Sequence, residues 1–184
     1  ADIDRIRAVR DIISDEVKDG WNVVAVVSAM SKETNKLIDL AKQVGVESLV
    51  DPEYDSLIST GEDVSSSLLA IALNSIAISS RSWRGWQLPV KTDSFHSNAK
   101  IEEIETNQLI NSFREGLKVA VVSGFQGIEQ AGRITTLGRG GSDTSAVAIA
   151  AAIDAERCDI YTDVSGIFTT DPRIKRNASK LKKI

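Results

Sequence analysis

The 184-residue chain holds one cysteine and one histidine. A lone Cys158 excludes an internal disulfide and a cysteine-cluster metal site. It falls in an apolar, strand-like run, where a small core residue is expected. A lone His96 excludes multi-histidine metal centres and leaves a histidine-centred catalytic triad unsupported. It sits in the polar stretch 93–100 and is expected on a solvated loop. No apolar run approaches the roughly 18 residues of a membrane span. The densest, 146–153, is short and alanine-rich. A basic leader followed by an apolar stretch is missing as well, so nothing indicates secretion and a cytoplasmic location is expected. The formal net charge is -4. Without a concentrated basic face to offset it, this balance argues against a nucleic-acid partner. The nearest thing to a basic run, Lys175, Arg176, Lys180, Lys182 and Lys183, reads as a solvated end. Neither the Walker A pattern nor the dinucleotide Gly-x-Gly-x-x-Gly pattern occurs, so any phosphate chemistry must rest on another scaffold.

What remains is an ordinary globular composition, 42% hydrophobic and 26% charged, in a length that suits one sizeable domain. Ile3, Ile6, Val9, Ile12, Ile13 and Val17 recur at helical spacing, with Asp2 placed to cap the start and Gly20 to stop the helix. That helix begins at once and without a methionine, so further residues are expected upstream of Ala1. Residues 22–28 form a near-continuous β-branched run, expected to be buried on both faces of a parallel sheet. Helices are expected over 34–43, over 55–75 in two pieces, over 106–115 and over 142–154. Strands are expected over 76–79, 101–104, 118–122 and 157–161, with a hairpin excursion over 128–134. Trp21, Trp83 and Trp86 are expected to pack. The alternation predicts an α/β fold with a mainly parallel central sheet and right-handed crossovers. Ligands sit beyond the carboxyl ends of the strands in such sheets. Three strand ends here finish in polar or glycine-rich sequence: Ser28-Ala-Met-Ser31, Ser123-Gly-Phe-Gln-Gly127 and Thr162-Asp163.

The most informative stretch is 135–144. Gly138, Gly140 and Gly141 occupy a turn that opens directly into a helix, with Ser142, Asp143 and Thr144 at its start. Glycines let the backbone take left-handed angles and let a ligand come close. A helix start exposes unpaired N–H groups that favour an anion. Arg139 adds a forked guanidinium suited to a carboxylate or phosphate. Taken singly, each residue also has a plain structural role. Glu62 and Asp143 suit the first turns of helices, Arg139 suits a surface ion pair, and Thr162-Asp163 suits a turn cap.

Thr136-Leu-Gly-Arg-Gly-Gly-Ser-Asp143 resembles the signature of the aspartate kinases, within the amino-acid-kinase superfamily. The match does not stand alone. Val27-Ser-Ala-Met30 with Thr34-Asn-x-Leu37, Thr60-Gly-Glu62, Gly85-Trp-Gln87, Gly124-Phe-Gln-Gly127 and Ile160-Tyr-Thr-Asp-Val164 through Thr170-Asp-Pro-Arg173 follow in the family's order. The resemblance covers essentially the whole chain and implies a three-layer sandwich. It also implies an ATP-dependent transfer of phosphate to the side-chain carboxylate of L-aspartate, with Mg2+ accompanying ATP and no dedicated metal cage. By the same resemblance Asp143 and Ser142 lie at the reaction centre, and Asp143 orients phosphoryl-neutralising lysines. Arg139 clamps the substrate α-carboxylate, Glu62 reads its ammonium, Thr34 lies in the substrate loop, and Phe125 and Thr136 flank the pocket. Thr162, Asp163, Phe168 and Arg173 match the nucleotide side, Phe168 standing where the family usually has Tyr.

The resemblance divides the chain into an aspartate-binding lobe over about 1–155 and the start of a nucleotide-binding lobe over about 156–184. The family's first strand with its Lys-Phe/Tyr-Gly-Gly loop, its second downstream lysine and its regulatory domains have no counterpart in 1–184. The stretch is therefore expected to be incomplete for catalysis alone, and the full-length protein is expected to be a homo-oligomer. Another amino-acid kinase, such as a glutamate 5-kinase, or a non-catalytic ligand-binding homologue on the same fold are the alternatives. By the resemblance, the paired Glu62 and Arg139 motifs favour aspartate kinase over these, and any zwitterionic substrate would need the one fixed anion and one fixed cation that the pair provides.

Overall fold

The computed structural model describes residues 2–46, 48 and 50–161. It opens on helix α1 (Ile3–Lys18), whose two ends follow from local chemistry. The Asp2 side chain accepts from the Arg5 N–H at 2.9 Å, satisfying one of the donors that a helix start leaves open. At the other end Gly20 takes φ +99. Its N–H donates to the Val17 carbonyl and that of Trp21 to the Glu16 carbonyl, both at 3.1 Å. This reversed pair of bonds is a Schellman ending, which favours glycine. Strand β1 (Val23–Val27) follows, then helices α2 (Glu33–Gln43), α3 (Pro52–Ile58) and α4 (Thr60–Asn74). Strands β2 (Ser80–Trp83), β3 (Val90–Thr92) and β4 (Ile101–Ile104) precede helix α5 (Asn107–Arg114). Strands β5 (Val119–Ser123), β6 (Gln126–Ile128) and β7 (Ile134–Thr136) lead into helix α6 (Gly141–Ala152).

Strand β5 lies between β1 and β2 in a wholly parallel three-stranded sheet, with Val23 and Ser80 both in register with Val119. Successive side chains on a strand point to opposite faces, and β5 uses both. Val119 and Val121 meet Ile6 and Ile13 of α1 and Leu69 and Leu73 of α4 on one side. Ala120 and Val122 meet Leu109 of α5, Ile149 of α6, Trp83 and Leu88 on the other. Helices, sheet and helices thus form three layers. Each buried valine contributes about 1.5–3 kcal/mol, so fully buried β5 anchors the rest. The β-branched run of β1 is only half-buried, because β1 is an edge strand among the described residues.

A second sheet, in the order β4-β3-β6-β7, was not foreseen in the sequence. Its β3–β4 and β6–β7 pairs are antiparallel, and β3–β6 is parallel. Strand β5 runs through Gly124 and Phe125 straight into β6, so one stretch of chain links both sheets and places their junction at the carboxyl end of the parallel one. The hairpin expected over 128–134 is the β6–β7 turn, with Glu129 accepting from the N–H groups of Ala131 and Arg133.

Several local expectations fail for identifiable reasons. Residues 76–79 are not a strand. They fold back on the end of α4, with Ala77 at φ 61 and the Ile78 N–H donating to the Leu73 carbonyl at 3.2 Å, and pairing begins only at Ser80. Residues 157–161 are not a strand either. Arg157 is drawn to Glu16 on α1 and to Asp159, both at 2.7 Å, and Cys158 is exposed rather than in the core. Trp83 is fully buried as expected, whereas Trp21 and Trp86 are 42% and 50% exposed. No described helix is long and apolar enough to cross a membrane.

Candidate active site

Two cavities reach the carboxyl end of the parallel sheet. The larger, about 1000 Å³, runs along the open edge of β1 between the apolar faces of α1 and α6. The smaller, about 620 Å³, is where polar groups converge. Thr34, Glu62, Phe125, Thr136, Arg139, Ser142 and Asp143 all line it. The structure thus gathers every described residue expected at the substrate site. Thr162, Asp163, Phe168 and Arg173 lie outside the described residues. Ser142 and Asp143 line both cavities, so they mark the junction between the two spaces.

One end of the smaller pocket is built by backbone. Gly138 and Gly140 take φ +75 and +74, left-handed angles that side-chain-bearing residues avoid. Gly140 is the N-cap of α6, and no side chain caps the helix. The first N–H groups of α6 and their partial positive charge therefore stand at the pocket wall. Arg139, between the two glycines, is exposed and forms no ion pair among the described residues. Gly124, at the end of β5, lies directly against this helix start. A Cβ added to it would stand 2.9 Å from Ser142 Cβ and Oγ and 3.0 Å from its Cα. Overpacking of this kind costs about 1–3 kcal/mol. Gly124→Ala is accordingly expected to lower stability by that amount, read as a lower denaturation midpoint, because Ser142 must move. An unchanged midpoint would show that the helix start gives way without cost.

Phe125 follows at φ +68, a strained setting for a bulky residue. Two bonds hold it there. Its N–H donates to Ser145 Oγ at 3.1 Å, and its carbonyl accepts from the Leu137 N–H at 2.9 Å. The ring is so placed that its Cδ2 lies 2.7 Å from where a Gly141 Cβ would be. Gly141 therefore accommodates the aromatic wall of the pocket.

At the other side of the pocket lies Glu62, in the first turn of α4 and 4% exposed. Its Oε1 accepts from the Ala29 N–H at 3.0 Å. Its Oε2 is buried with no hydrogen-bond partner among the described residues. Burial pushes the carboxyl up to about 7, opposed by the Ala29 and Glu62 N–H groups and reinforced by neighbouring Asp63. A buried carboxylate oxygen without a donor is costly, and an incoming ammonium would satisfy it. Asp63, next in sequence, serves the framework instead. Its Oδ1 accepts from Ser123 Oγ at 2.8 Å and Gln126 Nε2 at 3.1 Å, and its Oδ2 pairs with Arg84 at 3.1 Å. Gln126 also accepts from the Gly85 N–H and donates to the Ser59 carbonyl. These residues link β5, β6 and the start of α4 beneath the pocket.

His96 is the clearest correction. It is 8% exposed rather than solvated, and its Nδ1 lies 2.9 Å from Asp55 Oδ2. Asp55, buried on α3, escaped the sequence reading altogether. Its only local signal is a carboxylate between Tyr54 and three-residues-on Ile58, both buried in a core cluster. Among the described residues no group of three or more His, Cys, Asp or Glu side chains is placed to hold a metal ion.

The profile of the amino acid kinase family matches residues 1–184. The chain is 52% identical over 182 residues to the aspartokinase of Bacillus sp. (strain MGA3), covering 99% of this chain and 44% of that protein. Its structure resembles that of aspartate kinase from Synechocystis, at 45% identity and a TM-score of 0.75, over 97% of this chain and 29% of that one. It also resembles Escherichia coli aspartokinase III in complex with aspartate and ADP, at 29% identity and a TM-score of 0.64, over 97% and 40% of the respective chains. The chain thus spans less than half the length of the curated relatives it matches. With a parallel three-layer core, a glycine turn at its carboxyl end and a profile match from end to end, the chain belongs to the amino acid kinase family.

Proposed function

We propose that the full-length protein transfers the γ-phosphoryl group of ATP to the side-chain carboxylate of L-aspartate, forming 4-phospho-L-aspartate and ADP. This is the first step towards lysine, threonine and methionine. The observation that carries the reading is the buried, partnerless Oε2 of Glu62 in the same pocket as Arg139 and the uncapped start of α6. One fixed anion and one cationic end suit an amino-acid zwitterion. Both similar structures and relatives named for aspartate favour that amino acid.

In this mechanism Arg139 grips the α-carboxylate through two parallel hydrogen bonds, and Glu62 accepts from the α-ammonium. Held at both ends, the substrate has its side-chain carboxylate directed to Ser142 and Asp143, where the two cavities meet. A carboxylate oxygen attacks the γ-phosphorus, the new O–P bond forms, and ADP leaves with the bridging oxygen. Two anions must meet, so positioning and charge neutralisation do most of the work. The start of α6 supplies part of that neutralisation, and Mg2+ arrives with ATP. Thr162, Asp163, Phe168 and Arg173 are assigned to the nucleotide, with residues of about 1–155 forming the aspartate lobe and 156–184 opening the nucleotide lobe. The full-length protein acts as a cytoplasmic homo-oligomer in this reading.

The test is acyl-phosphate trapping by hydroxylamine with full-length protein, ATP and Mg2+. Hydroxamate from aspartate is expected. Phosphorylation of glutamate, N-acetylglutamate or a nucleoside monophosphate in its place would overturn the substrate assignment.

A further inference from the structure

Arg139 presents a puzzle of placement. Its guanidinium has no ion pair among the described residues, so no described carboxylate fixes it. Its aim depends on the backbone turn that carries it. That turn is held from behind, by a carboxylate that does not line the pocket.

Asp55 is fully buried on α3. It gathers donors from two distant segments. From β7, Thr136 donates its N–H to Oδ2 at 3.0 Å and its hydroxyl to Oδ1 at 2.7 Å. From the 93–99 loop, the Ser97 N–H approaches both oxygens, at 3.1 and 3.0 Å, and the Ser97 hydroxyl donates to Oδ1 at 3.1 Å. His96 Nδ1 adds a contact at 2.9 Å, and an acceptor-only carboxylate places the ring proton on that nitrogen. The Ala99 N–H then donates to the Thr136 carbonyl at 2.9 Å, closing a ring of bonds from Asp55 through the loop to β7 and back.

The ring bears directly on the turn. A Cβ on Gly138 would stand 2.9 Å from Asn98 Oδ1 and 3.3 Å from the Ser97 carbonyl oxygen, so Gly138 rests on the two residues after His96. Arg139 is the next residue along. Ser97 itself holds φ 62, an angle a serine adopts only when its surroundings enforce it. A buried carboxylate is a costly way to gain stability alone, since well-packed apolar residues often serve as well. What it supplies is geometry, because it accepts at once from groups on both sides of the turn.

We propose that Asp55 is a positioning residue for the amino-acid substrate: by tying Thr136 and the Ser97–Asn98 loop together, it holds the Gly138 turn so that Arg139 meets the substrate carboxylate. This rests on the reading of Arg139 given above. Asp55 touches no reacting atom and acts through the turn.

The experiment uses the full-length enzyme. Asp55→Asn keeps the shape but turns one acceptor into a donor facing N–H groups. The KM for aspartate is expected to rise about tenfold or more, as for loss of a hydrogen bond to a charged group, while the KM for ATP stays within about twofold. The decisive readout is a cycle with Arg139→Ala. If Asp55 acts through Arg139, the double variant has the aspartate KM of Arg139→Ala alone, within about twofold. Additive effects, or an equal rise in the KM for ATP, would overturn the role. If Asp55→Asn does not fold, Ser97→Ala removes only the hydroxyl donor. It is expected to raise the aspartate KM about threefold, again without further effect on Arg139→Ala, and an unchanged KM overturns the proposal. A wild-type enzyme that ignores aspartate refutes the functional reading. A wild-type enzyme that uses aspartate, beside an Asp55→Asn variant with unaltered KM, refutes only the role of Asp55.

Discussion

In the full-length protein, Arg139→Ala is expected to raise the KM for L-aspartate by about a hundredfold and to leave the KM for ATP within about twofold. The size follows from the contact. A hydrogen bond between charged groups contributes about 1.5–3 kcal/mol, and a guanidinium offers two in parallel to one carboxylate. The selectivity follows from position. Arg139 lines the cavity that also holds Thr34 and Glu62, and the nucleotide is assigned to other residues, so its binding is not expected to need Arg139. Arg139→Lys separates charge from shape. A lysine keeps the cation but not the planar fork, so it is expected to recover only part of the affinity. Steady-state kinetics with each substrate varied in turn decide the matter, and an unchanged response to aspartate in Arg139→Ala removes this residue from the site.

The residues legible in the sequence are those whose signal is local. The Gly138–Gly141 turn and the helix behind it announce themselves because glycines at left-handed angles and an abrupt start of apolar spacing leave a mark within ten residues. Helix α1 is legible for the same reason, with Asp2 and Gly20 marking its ends. Glu62 and Arg139 were paired only through the family resemblance, since the spacing of two separate segments does not bring them into one pocket. What stayed hidden depends on partners far along the chain. His96 in its polar stretch looks solvated, and its burial comes from a carboxylate 41 residues away. Asp55, at the start of the helical stretch 55–75, carries no local mark of its burial, which comes with bonds to Thr136, 81 residues on. The second sheet was missed because β3, β6 and β7 each hold three residues, too few to show a period. Residues 76–79 misled in the opposite way. Their apolar character serves the close of α4 rather than a strand.

The burial of Glu62 makes a second large effect, one that varies with pH. In the empty pocket its carboxyl stands at about 7, raised chiefly by burial. Only the ionised form can accept from an ammonium, and the ammonium of a free amino acid keeps its charge through this range. Below about pH 7 each unit of acidification should therefore cost roughly tenfold in the apparent affinity for aspartate, and above it the affinity should level off. Binding pulls a proton off Glu62, so calorimetry near pH 6.5 in buffers of different ionisation enthalpy should register proton release. Glu62→Gln removes both signatures and weakens aspartate by about a hundredfold, because the lost partner is a charged one. Stability runs the other way. A group whose pKa rises on folding contributes stability that is full below its unfolded value near 4.5 and is lost as the pH climbs through about 7. Above pH 7 the empty wild-type protein carries a buried charge with one oxygen unsatisfied. Ligand-free Glu62→Gln is therefore expected to be more stable than wild type at pH 8 by about 1–3 kcal/mol, and the gap should close towards pH 5. Saturating aspartate should narrow the gap at pH 8 as well, since the substrate ammonium offsets the charge in wild type alone. A variant less stable than wild type at pH 8, or an aspartate affinity flat from pH 6 to pH 8, would remove Glu62 from the ammonium site. With the expected results, a residue that weakens the ligand-free fold at neutral pH would also be one that holds the substrate, which is the arrangement expected when a buried charge awaits its partner.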